Sequence, residues 1–458
     1  MPGSDVLNLH RALALRPKEI VTLVGAGGKT SALLCLAREL AARGRRVVAA
    51  PTTKMRLTQL QELAAPVIAC DSEALVRGVE ARLEKANLAT CGTALTGDGK
   101  VTGLDPATVA ALLRLDVEYL LLEGDGAAGA LLKAPAAYEP VIPRETTLVV
   151  TVAGLPVVGR PLAAPGVHRS RLVAGLLGRE EGVLLAVEDV ARILVHPAGG
   201  RKGVPPGARW AVLLNQAEDY GLQEAGRAVA AAILTAGGER VIVGAVATPA
   251  PVRQVLRAAA GGNGTVGGIV LAAGAGVRYG GGKQLLPVGG QPLVRQVVGT
   301  ALAAVPGDVV TVLGHQAEMV AAVLEDLAVN LAYNPDYHRG LSTSLQAGLA
   351  ALAPRTRAAL FILADQPGVT PGVLARLVEA YTDSGKKIVV PVYQGRRGNP
   401  VLIDRDLWPQ ILALEGDIGA REIIRAHPVD VLEVEVDCPG ILKDIDTPAD
   451  YCAWLEGK

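Results

Sequence analysis

The sequence has no surplus of charge, no paired cysteines and no long apolar run. Lys plus Arg and Asp plus Glu each number 45 across 458 residues, so no global field draws the chain to nucleic acid or an anionic membrane. Any phosphate binding must come from local clusters. Cys35, Cys70, Cys91, Cys438 and Cys452 are scattered, with no C-x-x-C pair. That argues against a zinc site or a disulfide framework and fits a reducing compartment. No stretch is apolar for long enough to span a bilayer, and charges interrupt the apolar part of the first residues, unlike a secretory leader. The expectation is a cytoplasmic protein with neither nucleic acid nor membrane as partner.

What the chain does have is hydrophobic material, half of all residues, and a length that suggests about two or three domains. The segment Ile269 to Leu293 organises the second half. An apolar run, Ile269-Val270-Leu271-Ala272, reads as a buried parallel strand and breaks into Gly274, Gly276 and Gly280-Gly281-Gly282. Arg278 and Lys283 stand among the glycines. Glycine lets backbone N–H groups turn toward a ligand, and two fixed cations suit a triphosphate. A plain glycine-rich turn is the competing reading, but the G-x-G-x-R-x4-K spacing favours a nucleotide site.

This segment resembles the MobA-like nucleotidyltransferases, whose signature is LAAGxSxRMGxxK. Leu271-Ala272-Ala273-Gly274, Arg278, Gly280 and Lys283 match it, while Gly276 and Tyr279 replace the usual Ser and Met. The cytidylyl-transferring branch reads LAAG, as here, and the guanylyl branch LAGG; the methyl of Ala273 would narrow the base pocket toward a pyrimidine. Further along, Leu363-Ala364-Asp365-Gln366-Pro367 ends an apolar run in a carboxylate, Ser342 and Ser344 open a helix, and Lys443-Asp444-Ile445-Asp446-Thr447-Pro448 resembles the family's closing element. Gly398-Asn399-Pro400 and Gly416-Asp417-Ile418-Gly419-Ala420-Arg421 resemble the molybdenum-cofactor branch.

The resemblance implies transfer of CMP from CTP to molybdenum-loaded molybdopterin, giving the cytosine dinucleotide cofactor and pyrophosphate. It implies Arg278, Lys283 and Asp365 as catalytic residues, with Asp365 and Asp446 holding Mg2+. Leu271, Ala272, Ala273, Gly274, Gly276, Ser342 and Ser344 would bind the nucleotide, and Asn399, Asp417 and Arg421 would face the acceptor. Another phosphate acceptor, GTP in place of CTP, or a cofactor carrier that only senses NTP remain alternatives.

In the first half, Ile20 to Val24 reads as a strand, followed by Gly25-Ala26-Gly27-Gly28-Lys29-Thr30 and a helix from Ser31. A glycine loop at a helix N-terminus binds phosphate. The ending GK[ST] is that of a P-loop, though Leu23 stands where its first glycine belongs. A second apolar run ends in Glu123-Gly124-Asp125, carboxylates placed to hold magnesium or polarise a water. Asn215-Gln216-Ala217-Glu218 is a weak echo of a base-reading motif. Gly25, Gly27, Gly28, Lys29, Thr30, Glu123 and Asp125 are therefore the expected site for ATP or GTP. Lys54, Lys133, His168 and Arg169 either line a second substrate's pocket or cap the surface. Together these elements resemble the YqeC family, accessory proteins for selenium-dependent molybdenum hydroxylases, which implies a hydroxylase apoenzyme or another maturation protein as partner.

The expected architecture is α/β throughout. Residues 1–257 form a P-loop-like domain, residues 258–266 a linker, and residues 267–458 a Rossmann-like nucleotidyltransferase domain with a mostly parallel sheet.

Overall fold

The computed structural model describes residues 5–258, 265–276 and 279–457. The chain divides into two compact units, residues 8–252 and residues 1–7 with 253–458. Most of the expected linker, residues 259–264, lies outside the described residues.

The unit of residues 8–252 is built on a parallel sheet. Its strands run in the order Leu88–Gly92, Val47–Pro51, Tyr119–Glu123, Glu19–Gly25, Leu148–Gly154, Arg209–Asn215 and Arg240–Gly244. Strands buried on both faces read as continuous apolar runs rather than alternating ones. Tyr119–Glu123 and Leu148–Gly154 are buried at every position. One side chain cluster, including Val48, Leu75, Val79, Val109, Leu120 and Leu122, fills one part of this core. The helix after the glycine loop spans Lys29–Ala42, with Gly28 as its left-handed N-cap. Gly27 cannot carry a side chain: its φ is +73° and an added Cβ would lie 2.0 Å from Gly154 N. The loop therefore lies flat against the adjoining strand.

In the other unit, Val266–Ala272 is a central strand between Val309–Leu313 and Ala358–Leu363, parallel to both. The sheet continues through Asn330–Tyr333 to the antiparallel Val252–Arg257 on one side. On the other it continues through the antiparallel Val401–Asp404 to Ile388–Tyr393 and Val431–Glu435. Helices Leu293–Ala304, Leu341–Ala351 and Pro371–Ser384 accompany this sheet. Both units are thus α/β with mostly parallel strands. No helix among the described residues is long and apolar enough to cross a membrane.

Candidate functional site

Parallel strands bring their C-terminal ends to one edge, and ligands of such sheets bind there. Leu271 pairs in register with Leu363, and Ala272 with Leu313. The glycine loop at 273–276, the turn at Ala364-Asp365 and the segment at 314–316 therefore emerge side by side. They open onto a cleft lined by Leu271, Ala273, Gly274 and Gly276 from the first strand and its loop, and by Lys283, Ser344, Asp365 and Asp417. Ala272 is buried within the strand. Arg278 lies outside the described residues.

The chemistry of the cleft concentrates at one ammonium. Lys283 Nζ lies 2.6 Å from Asp365 Oδ2 and 2.8 Å from Asp446 Oδ1. Burial alone would lower the Lys283 pKa, but the two carboxylates outweigh it and the pKa is raised. Two carboxylates 163 and 82 positions from the lysine are brought together by local devices. Ile445 N–H donates to Asp365 O (2.9 Å), and Ile445 is buried against Val288 and Leu293. Asp446 immediately precedes a capping box in which Thr447 Oγ1 accepts from Asp450 N and Asp450 accepts in return. A third carboxylate, Asp444, stands close by. Burial raises its pKa, a hydrogen bond from Gln366 opposes that rise, and the charges of Asp365 and Asp446 add to it.

A divalent cation fits the Asp365–Asp446 pair. Among the described residues, Asp365 Oδ1 is buried with no hydrogen-bond partner, leaving a lone pair to offer. No three metal-type side chains converge among those residues, so phosphate oxygens and water would complete the shell of a hard cation.

The remaining expected residues separate. Ser342 is fully buried, its hydroxyl donating to Gly416 O (2.8 Å), and it fastens the helix start to the 416–419 loop. Ser344 faces the cleft and accepts from Asn334 Nδ2 at 3.0 Å. Asp417 accepts from Leu341 N–H in the same cleft. Asn399 and Arg421 instead line a second depression with Arg397, Gly398 and Arg425. Asp444 belongs to the closing element without a role of its own there, and two further residues, Gln284 and Asp5, carried no sequence signal of a site. Buried Gln284 donates to Gly274 O, bracing the glycine loop. Asp5, 332 positions from Tyr337, accepts from its hydroxyl (3.0 Å) and from Gln316 N–H (2.7 Å) at the cleft wall.

In the unit of residues 8–252, Thr30 Oγ1 donates to Glu123 Oε2 (2.8 Å). Burial raises the Glu123 pKa, and Lys29 and Thr30 oppose that rise. Lys29 is buried, with Nζ on Gly25 O (2.7 Å) and 3.3 Å from Asp125. Asp125 also accepts from Gly25 N–H and pairs with buried Lys133 at 2.8 Å. Lys133 then meets Glu139 (2.7 Å), and Glu139 meets Arg169 (2.6 Å). Lys54 takes no part and is exposed on the Lys54–Arg56 strand. Asn215 is buried; its amide donates to Gly27 O (2.8 Å) and its carbonyl accepts from Val246 N–H, so it braces the loop.

Comparison with known proteins divides along the same line. Residues 268–431 match the MobA-like NTP transferase domain family, and residues 21–171 match the YqeC protein family. The chain is 34% identical over 216 residues to the uncharacterized protein YqeC of Escherichia coli (strain K12), covering 47% of this chain and 81% of that one. It is 35% identical over 193 residues to nicotine blue oxidoreductase of Paenarthrobacter nicotinovorans, covering 40% and 92%. It is 25% identical over 189 residues to molybdenum cofactor cytidylyltransferase of Escherichia coli (strain K12), covering 41% and 94%.

Proposed function

We propose a specific reaction for a chain that belongs to the YqeC family through its first half and to the MobA-like NTP transferases, as a nucleotidyltransferase, through its second. The second half transfers CMP from CTP to the terminal phosphate of molybdenum-loaded molybdopterin and releases pyrophosphate. The observation that carries this reading is the convergence of Lys283, Asp365 and Asp446 beside the glycine loop. The similarity to a molybdenum cofactor cytidylyltransferase supports the acceptor.

In this mechanism the backbone of Gly274 and Gly276 cradles the triphosphate. Lys283 leaves the carboxylates to meet the phosphates, neutralising charge as the bond to pyrophosphate lengthens. Asp365 and Asp446, freed of the ammonium, would hold Mg2+, which supplies Lewis-acid stabilisation at the α-phosphate. The attacking phosphate is already ionised, so no general base is required. Ala273 and Ser344 border the space for the base, and the methyl of Ala273 narrows it toward cytosine. Asp417 faces the acceptor within the cleft, while Asn399 and Arg421, with Arg397 and Arg425, receive an anionic group farther out on it. The first half binds ATP or GTP at residues 25–30 and serves maturation of a molybdenum hydroxylase.

Pyrophosphate release from CTP and from GTP, with Mg2+ and molybdenum-loaded molybdopterin, tests the reaction on the intact chain. Release with CTP and its loss in Asp365→Ala is the expected result. Release with GTP alone would overturn the assignment of the base, and release with neither would remove this acceptor. The 35% identity to nicotine blue oxidoreductase favours a second reading, a redox activity of the same half. Bleaching of nicotine blue in the presence of NADH or NADPH, without pyrophosphate release, would select it.

A further inference from the structure

We propose that the cavity bounded by residues 127–130 and 164–172 is the second-substrate site of the first half, built for a small phosphate monoester with an apolar body. The proposal rests on reading residues 25–30 as a phosphate loop.

The cavity shares a wall with that loop. Gly27 N–H donates to Ala130 O at 2.9 Å, and Ala127, Ala128 and Ala130 line one side. A nucleotide in the loop and a ligand in the cavity would thus lie on two faces of one short segment. Pro165, Val167 and Leu172 give the cavity an apolar floor, and Arg169 and Arg171 supply its cations. Arg169 and Arg171 both line the cavity, each paired with a carboxylate, Glu139 and Glu181, that the dianion of a phosphate monoester would share or displace. The one carboxylate among the described lining residues, Glu181, is engaged by the Ser170 hydroxyl and by Arg171.

Two further observations single out this place. Ala128 (φ 48°) and Arg169 (φ 58°) are non-glycine residues in the left-handed region, and both line the cavity. Such conformations cost on the order of 1–2 kcal/mol each and gather at ligand sites, where the surroundings hold them. The surroundings here are the pairing of Val167-His168 with Leu132-Lys133. The second observation is the charge chain Lys29–Asp125–Lys133–Glu139–Arg169, which runs from the phosphate loop to this cavity. Glu139 grips the guanidinium through both oxygens, at 2.6 and 3.2 Å, and so fixes its orientation before a ligand arrives. Burial, then Arg169 and Lys133, lower the His168 pKa.

The test is calorimetric titration of the full chain with phenyl phosphate and with inorganic phosphate. Phenyl phosphate should bind more tightly than inorganic phosphate, and Arg169→Gln should weaken both by roughly tenfold or more, the scale of a charge-assisted contact. Leu172 is exposed, so Leu172→Ala keeps the fold; it should weaken phenyl phosphate by roughly fivefold and leave inorganic phosphate unchanged. Thr30→Ala, at a loop residue outside that charge chain, should weaken ATP or GTP and leave phenyl phosphate unchanged. Phenyl phosphate that fails to bind, or whose affinity follows Thr30 and ignores Leu172, overturns the cavity site. Unchanged ATP and GTP affinity in Thr30→Ala instead overturns the phosphate loop, and with it the second-substrate role.

Discussion

Lys283 bridges two carboxylates that would otherwise repel across the cleft. Its raised pKa means that the stability it contributes is fully present below the ordinary lysine value and is lost only as pH rises beyond it. Across neutral pH the contribution is therefore constant. Lys283→Met should abolish pyrophosphate release, by roughly 10^3-fold or more. It should also lower stability by about 1–2 kcal/mol, a value already discounted for solvent at the carboxylates. Mg2+ should restore part of that loss, which denaturant unfolding with and without the ion would measure. Glu139 has the opposite sign of pH dependence. Burial pushes its carboxyl up, but Arg169 and Lys133 outweigh burial and bring it from 4.5 to about 2. Its contribution is present above the ordinary glutamate value and lost as pH falls toward 2. Glu139→Gln should cost roughly 2–3 kcal/mol at pH 7 and nothing measurable near pH 2, read from unfolding curves across that range.

At the scale of elements, both candidate sites depend on backbones that approach too closely for a side chain. Gly27→Ala would drive a methyl into Gly154, 2.0 Å away, in a backbone conformation that alanine avoids. The expected cost is about 3 kcal/mol or more, with loss of ATP or GTP binding, measured by melting and titration of the variant. Gly340 plays the same part at the other cleft: its φ is +118°, and an added Cβ would meet Gly416 C at 2.3 Å. Gly340→Ala should push the 416–419 loop outward, carrying Asp417 with it. The expected signature in steady-state assays is a raised KM for the acceptor with a smaller change in kcat.

At the scale of the molecule, two compact units predict two separable responses. Calorimetry of the intact chain should resolve two transitions, with Gly27→Ala lowering one and Lys283→Met the other. A single transition shifted by either substitution would mean that the units unfold together. Stabilisation by CTP with Mg2+ should fall on the transition that Lys283→Met lowers.

The sequence by itself determined the alternation of strands and helices. Buried parallel strands such as Ala358–Leu363 read as continuously apolar, and glycine loops must follow strands if phosphate is to reach backbone N–H groups. It also determined the family resemblance, because LAAG, LADQP and DIDTP are contiguous and their chemistry is local. The strand Val401–Asp404 was invisible as an antiparallel insertion, since four buried residues carry no period that reveals direction. Only the tertiary structure decided which residues meet. It set Ser342 inward on Gly416 and divided Asp417 from Asn399 and Arg421. It placed Asp444 beside the metal-type pair, and it joined Lys133 and Arg169 to the glycine loop through Asp125 and Glu139. The physical reason is that side chain direction follows from register and packing between segments far apart in the chain, and no local pattern of residues encodes it.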